Sequence, residues 1–171
     1  NNGTGLVYAA SDRINNGSKC VSTQCGRNVI EYLNFTTGEV RTIYSRSEPR
    51  ALSAEWHDVD KLGKNRYIIA DMASDEVVII NSTTGITVWE WNVQAAFSLQ
   101  SGGPYPDDWV HLNDVEMTEK AIMLSLRNQD QVIFVDRQDG INRSLTLGAE
   151  DRYDVLFEQH NPDYLSNSTG Q

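Results

Sequence analysis

The chain has 171 residues, of which 39% are hydrophobic, so it is long enough to bury the core of one domain. Its formal net charge is −10 and its pI is about 4.6, which argue against nucleic acid or an anionic membrane as the main partner. No apolar run reaches the ~18 residues that a membrane-spanning helix needs, and no signal peptide is visible.

The sequence predicts short β-strands along its whole length. Runs rich in Val, Ile, Tyr, Trp and Phe alternate with turns of Gly, Asn, Asp and Ser, and no segment keeps a convincing helical period. The stretch 93–99 is at most a short helix or a turn. The predicted strands are 5–10, 28–34, 40–45, 57–62, 66–72, 76–81, 86–91, 111–117, 121–126, 131–136 and 143–148.

Part of this pattern repeats three times. The aligned segments are 27–44, 75–91 and 130–147. Each carries a glycine in its central turn, at Gly38, Gly85 and Gly140. A repeat of about 50 residues with four antiparallel strands is typical of a β-propeller blade, which stacks its apolar face on a neighbour. We therefore predict an all-β fold, a β-propeller of four-stranded antiparallel blades, with about two full and two partial blades.

We expect one incomplete propeller domain over residues 1–171. Its parts are a partial first blade with a cysteine-containing loop, two further blades and the start of the next, at 1–45, 57–91, 111–148 and 158–171. Because propellers close with about four to eight blades, the missing blades are expected from elsewhere in the protein or from another, identical chain. Since the first residue is Asn1 and not methionine, we expect a mature or partial chain.

Two features predict an extracellular or cell-surface protein. Cys20 and Cys25 are the only cysteines, and their spacing in a polar loop favours a disulfide over zinc, with two free thiols as the alternative. Six N-x-S/T sequons predict N-linked glycans, since several of them lie in predicted turns. The sequons begin at Asn2, Asn16, Asn34, Asn81, Asn142 and Asn167.

The chain has three histidines, and each begins a similar short stretch. His57 opens HDVDKL, His111 opens HLNDVE and His160 opens HNPDYL. If each histidine opens the innermost strand of its blade, the three side chains point toward the same axial space. We therefore expect them to converge from three adjacent blades. The alternative is that each is a structural hydrogen-bonding residue between blades.

The segment 107–137 carries motifs of a known family. It contains W-x-H-x-N and then a strand that ends in S-x-R-x-Q, and the stretches around His57 and His160 match the blades on either side. With these motifs the chain resembles the N-terminal half of the arylsulfotransferases, and most of all their haloarchaeal members. The acidic composition suits such a high-salt source, although many ordinary acidic proteins share it. The resemblance covers the chain from about Glu55 onward and implies a six-bladed propeller.

The resemblance also implies an enzyme that moves a sulfuryl group from a phenolic sulfate ester to a phenol. His160 falls on the histidine that is transiently sulfurylated. His111 and Arg127 fall on residues that hold the sulfate, and His57 is a candidate acid or base for the phenolic proton. Neutral imidazole is a competent nucleophile, and a guanidinium matches sulfate oxygens. We expect a small phenolic donor and acceptor as partners, and no organic cofactor or metal, since the transfer mainly needs positioning and charge stabilisation.

Other interpretations compete with this one. The carboxylates of Asp58, Asp60, Asp114 and Glu116 either bind a cation such as Ca²⁺ or satisfy backbone groups between blades, and the second role is favoured. Three converging histidines are also compatible with Zn²⁺ or Cu²⁺, although no local ligand pair supports a metal. The missing blades favour a different class of function, a non-catalytic glycosylated cell-surface propeller that acts in adhesion, in a filament or as a scaffold. The enzyme requires the three histidines and Arg127 in one solvent-open pocket.

Overall fold

The computed structural model describes residues 4–14, 25–48, 56–96, 110–141, 147–148 and 156–165. Three antiparallel sheets dominate this part of the chain, which confirms the all-β prediction. None of the described helices has the length and apolar character needed to cross a bilayer. Five predicted modification sites lie outside the described residues: Cys20, Asn2, Asn16, Asn142 and Asn167.

The first sheet has three strands. They are β1 (Gly5–Ile14), β2 (Cys25–Asn34) and β3 (Val40–Glu48), in the order β1-β2-β3. Each strand extends three or four residues beyond the predicted run. Since β2 and β3 align with the third and fourth strands of the other repeats, β1 takes the place of a second strand. The described part of this sheet holds these three strands.

The second sheet is a complete four-stranded meander. Its strands are β4 (Trp56–Lys61), β5 (Arg66–Asp71), β6 (Glu76–Asn81) and β7 (Ile86–Asn92), and each pairs with the next along the chain. The short helix α1 (Val93–Ala96) follows β7. This sheet has the strand content and order that we predicted for a propeller blade.

The third sheet repeats the meander, and two short strands lie at its outer edge within the described residues. Its strands are β8 (Leu112–Met117), β9 (Ile122–Leu126), β10 (Gln131–Asp136), β11 (Gly140–Ile141) and β12 (Leu147–Gly148). Both β11 and β12 pair with β10, at opposite ends of that strand. Of the strand predicted at 143–148, residues 147–148 form β12 and the others lie outside the described residues.

One kind of turn joins the third and fourth strands of all three repeats. The side chain of its first residue accepts hydrogen bonds through Oδ1 from the backbone N–H groups two and three residues later, at 2.7–3.4 Å. These first residues are Asn34, Asn81 and Asp136. Four residues after each lies a glycine with a φ of 69°, 72° or 81°, where the absence of Cβ avoids strain. The turn therefore gives two of the sequon asparagines a backbone role.

The central strands β5 and β6 of the second sheet are buried on both faces. Successive residues of a strand point to opposite sides, and here both sides are covered. Ile68 and Ala70 pack toward the third sheet in a cluster that includes Leu124. Ile69, between them in sequence, packs toward the first sheet with Ile30. All five side chains are fully buried. The three sheets thus stack face to face as propeller blades do, with β4 in contact with both β1 and β8.

Candidate functional site

The structure brings the three histidines together. The ring centroids of His57 and His111 lie 5.6 Å apart, those of His57 and His160 lie 6.1 Å apart, and those of His111 and His160 lie 6.5 Å apart. His57 and His160 are exposed and His111 is half-buried, so the cluster is open to solvent. The sequence led us to expect this convergence.

The three histidines do not, however, share one position in the repeat. In β4 the pairing register shifts between Trp56 and Asp58, and in β8 it shifts between Leu112 and Asp114. The extra residues of the two bulges are therefore His57 and Asn113. His57 corresponds to Asn113 and not to His111, so the prediction of a single blade position is wrong.

His111 reaches the cluster from a different backbone position. It lies one residue before β8 and adopts a left-handed conformation with a φ of 49°. Glu158, two residues before His160, has a φ of 45°. The segment 158–160 thus resembles 111–113 in backbone and spacing, and His160 corresponds to Asn113. The prediction that His160 opens a strand is also wrong, since the described residues 156–165 contain no strand.

His57 is held in place by the residue before it. Trp56 is buried, and its indole Nε1 donates a hydrogen bond to Asp71 Oδ2 at 3.2 Å. Its ring stacks on Tyr44 with centroids 5.9 Å apart, and the Arg46 guanidinium lies 5.3 Å from the ring centre. Arg46 also forms an ion pair with Asp71 at 3.0 Å. These contacts join the first and second sheets at the start of β4 and fix the bulge that presents His57.

His160 is held by side chains of the third sheet rather than by strand pairing. Asn113 Nδ2 donates to the Gln159 carbonyl oxygen at 2.8 Å. Gln159 Nε2 in turn donates to the carbonyl oxygen of Gln131 at 2.8 Å, and the Glu158 N–H donates to Asp130 Oδ1 at 2.8 Å. Asn113, Gln159 and Glu158 were not among the predicted site residues. One signal was present, because Glu-x-His occurs at both 55–57 and 158–160.

Arg127 connects the segments of two histidines. It begins a single 3₁₀ turn, Arg127–Gln129, directly after β9. Its backbone N–H donates to the His111 carbonyl oxygen at 3.2 Å, and its Nη2 lies 3.1 Å from Glu158 Oε2. Its Nη1 also donates to Asn128 Oδ1 at 2.9 Å. The guanidinium is therefore anchored beside the segment of His160, and the Arg127 side chain remains 23% exposed.

The inner-strand carboxylates mainly bind backbone groups of the next repeat. Asp58 Oδ2 accepts the Val115 N–H at 3.1 Å, and Asp60 Oδ2 accepts the Met117 N–H at 3.3 Å. In the same way, Glu116 Oε2 accepts the Tyr164 N–H at 2.8 Å. These bonds, which we call inter-blade latches, agree with the favoured interpretation. Across the described ranges, no group of three or more His, Cys, Asp and Glu side chains is placed to hold a metal ion.

Asp114 is the exception among these carboxylates. By the spacing of the latches, the backbone group opposite Asp114 belongs to Pro162, which has no N–H. Asp114 is only 8% exposed, and its Oδ2 has no hydrogen-bond partner among the described residues. Burial, followed by the neighbouring carboxylate of Asp58, raises the pKa of Asp114 to about 8.

A family model described as Arylsulfotransferase (ASST) matches residues 57–154, more than half of the chain. The chain belongs to the arylsulfotransferase family. The matched range contains His57, His111 and Arg127 and ends before His160. Arylsulfotransferases of this family are generally extracellular or periplasmic. The likeness to haloarchaeal arylsulfotransferases stays a prediction.

Other comparisons of this arylsulfotransferase-family chain find more distant proteins. Among curated proteins, no significant match is found. Among solved structures, the chain is similar to selenomethionine-substituted virginiamycin B lyase from Staphylococcus aureus, with 12% identity and a TM-score of 0.41. The match covers 85% of this chain and 47% of the lyase chain. The chain therefore spans about half the length of that structure.

Proposed function

We propose that this chain contributes the reaction centre of an extracellular arylsulfotransferase, with His160 as the residue that is transiently sulfurylated. The donor is a phenolic sulfate ester and the acceptor is a phenol. The observation that supports this most directly is the convergence of three imidazole rings, with centroids 5.6–6.5 Å apart, in a member of this family. The remaining blades of a six-bladed ring come from the rest of the protein or from identical chains.

In the first half-reaction, a ring nitrogen of neutral His160 attacks the sulfur of the donor. The N–S bond forms while the bond between sulfur and the aryl oxygen breaks, and the aryl oxygen leaves with the bonding electron pair. His57 starts as the imidazolium and gives this oxygen a proton, a role typically worth about 10²–10⁴-fold in rate. His111 and Arg127 hold the sulfuryl oxygens, since imidazole and guanidinium N–H groups are suitable donors to them.

In the second half-reaction, the acceptor phenol gives its proton to the now neutral His57. The acceptor oxygen attacks the sulfur, the N–S bond breaks, and His160 returns to its neutral form. Electrons and protons balance over the two steps, since one aryl oxygen replaces another on sulfur. The exposure of His57 and His160 supports this exchange, because both donor and acceptor must reach them from solvent.

The test measures sulfuryl transfer from 4-nitrophenyl sulfate to phenol with the full-length protein at high salt. We expect release of 4-nitrophenol that depends on phenol, and its loss in His160→Ala. Mass spectrometry of the donor-treated protein without acceptor should find one sulfuryl group on the peptide that contains His160. The matched control is Asp139→Asn, a change in the exposed turn after β10 that should leave turnover intact. Well-folded protein without turnover on several donors would contradict the proposal.

A second candidate function is a glycosylated, non-catalytic surface propeller. It is favoured by the sequon turns at Asn34 and Asn81, which are followed by exposed residues on two neighbouring sheets. We propose that these asparagines carry N-linked glycans, which also implies secretion. Glycopeptide mass spectrometry on protein from its native host tests this. Glycans on both sites together with no turnover would favour the surface propeller over the enzyme.

A further inference from the structure

We infer that Glu158 makes this site select monoanionic sulfate esters over dianionic phosphate esters. The inference rests on the proposed function, because it takes Arg127 as the cation that holds the transferred group. It adds a residue that sets specificity by repulsion, in addition to the residues that attract the substrate.

Glu158 is placed at Arg127 by the backbone and by its neighbours. Its own N–H is bound to Asp130 Oδ1, and the next residue, Gln159, is tied to β10 and to Asn113. Its φ of 45° is uncommon for a residue other than glycine, so this orientation is imposed by the surrounding contacts. Its carboxylate lies 3.1 Å from Arg127 and is 38% exposed. A ligand that binds Arg127 therefore meets a fixed negative charge.

The charge balance of this pair decides which anions it accepts. Arg127 and Glu158 carry opposite charges that sum to zero, and Asp130 adds a further carboxylate beside them. A sulfate monoester carries one negative charge, whereas a phosphate monoester carries about −1.5 to −2 at neutral pH. Since Coulomb repulsion scales with the product of the charges, Glu158 repels the phosphate ester about twice as strongly in free energy.

This scaling gives a quantitative expectation for Glu158→Gln. The variant removes one negative charge and keeps the size and planar shape of the side chain, with one accepting oxygen. When the change in binding free energy doubles, the ratio of the variant's affinity to that of the unchanged protein is squared. A gain of about threefold in affinity for the sulfate ester therefore implies a gain of about tenfold for the phosphate ester. The selectivity for sulfate over phosphate esters should therefore fall by about threefold.

The experiment measures binding of phenyl sulfate and phenyl phosphate to the full chain by isothermal titration calorimetry, at neutral pH and low salt. All proteins compared carry His160→Ala, so that the sulfate ester binds without reacting. Glu119→Gln is the matched control, since it makes the same change in net charge in the exposed turn that follows β8, at the end remote from His111. We expect Glu158→Gln to bind both esters more tightly, with the larger gain for the phosphate ester. We expect Glu119→Gln to leave the affinity for each ester unchanged.

The possible results separate the two proposals. Three results would overturn the inference: an equal change in affinity for both esters, weaker binding in Glu158→Gln, or no binding in either protein. Weaker binding would mean that Glu158 only orients Arg127. The turnover assay with His160→Ala judges the enzyme independently. If Glu158→Gln loses selectivity for the sulfate ester over the phosphate ester, and the full-length protein shows no sulfuryl transfer, an anion site of this specificity is supported and the catalytic proposal is rejected.

Discussion

Replacing Asp114 by asparagine should remove a pH-dependent loss of stability that arises at the interface between the inner strands. Asp58 accepts a backbone N–H from the neighbouring strand, whereas the spacing of the latches sets Asp114 opposite Pro162, which has none. A buried carboxyl group that accepts no hydrogen bond has a lower free energy when it is protonated than when it is ionised. In the protonated form Asp114 can donate a hydrogen bond to Asp58. Asparagine keeps the shape and the donor and cannot ionise.

The size and sign of the effect follow from the pKa. Burial and the Asp58 carboxylate raise the pKa of Asp114 from its ordinary 3.8 to about 8 in the folded chain. Below the ordinary value both states hold the proton, so the full stabilisation is present. As the pH rises toward 8, the unfolded chain loses this proton and the folded chain keeps it, so the free energy of unfolding falls. At about 1.4 kcal/mol per pKa unit, the total loss is on the order of 5 kcal/mol.

Urea unfolding of the full chain between about pH 4.5 and about pH 8 measures this difference. The free energy of unfolding of Asp114→Asn should rise relative to the unchanged chain by about 1.4 kcal/mol per pH unit. Asp136→Asn is the control, because the Gln138 and Asp139 N–H groups lower the pKa of Asp136, and its contribution to stability is constant over this range. A pH-independent difference for Asp114→Asn would refute the reasoning. A weaker pH dependence in Pro162→Ala, which restores an N–H, would strengthen it.

Two further predictions concern the fold. Ile69→Ala should lower the free energy of unfolding by about 2–5 kcal/mol, because the side chain is fully buried between two sheets, whereas Val88→Ala on exposed β7 should change it by less than about 0.5 kcal/mol in urea unfolding. Asn81→Asp should preserve stability, because Asp136 makes the same turn, whereas Asn81→Ala should lose about 1 kcal/mol. A loss in Asn81→Asp equal to that in Asn81→Ala would contradict the role given to Oδ1.

The sequence predicted most accurately the strands that end at a residue which begins a defined turn. The limits of β6 and β10 agree with the prediction, since each apolar run ends at the Asn81 or Asp136 that starts the turn. By contrast, β1 and β2 continue past their apolar runs because ladder pairing uses backbone groups, which every residue supplies. For β1 and β2, apolar patterning therefore located the strand and underestimated its length.

The site residues could be named from motifs, but their arrangement could not. His57 and Asn113 lie in bulges, and the extra residue of a bulge leaves no mark in an alignment of sequences. Aligning the histidines with one another therefore shifted one repeat by two residues. The ion pair between Arg127 and Glu158 joins residues distant in the chain, and its geometry depends on the left-handed backbone of Glu158. Only the folded chain reveals that contact.

The inter-blade latches give the stack of sheets a direction. Each inner strand offers carboxylates to the strand that follows it, as Asp58 and Asp60 do for β8 and Glu116 does for the segment of Tyr164. A gene segment that encodes one whole blade thus carries both the acceptors for its successor and the donors for its predecessor. Duplication of such a segment keeps acceptors and donors matched, whereas a cut within a blade does not. The latches therefore favour the whole blade over a part of a blade as the unit of duplication.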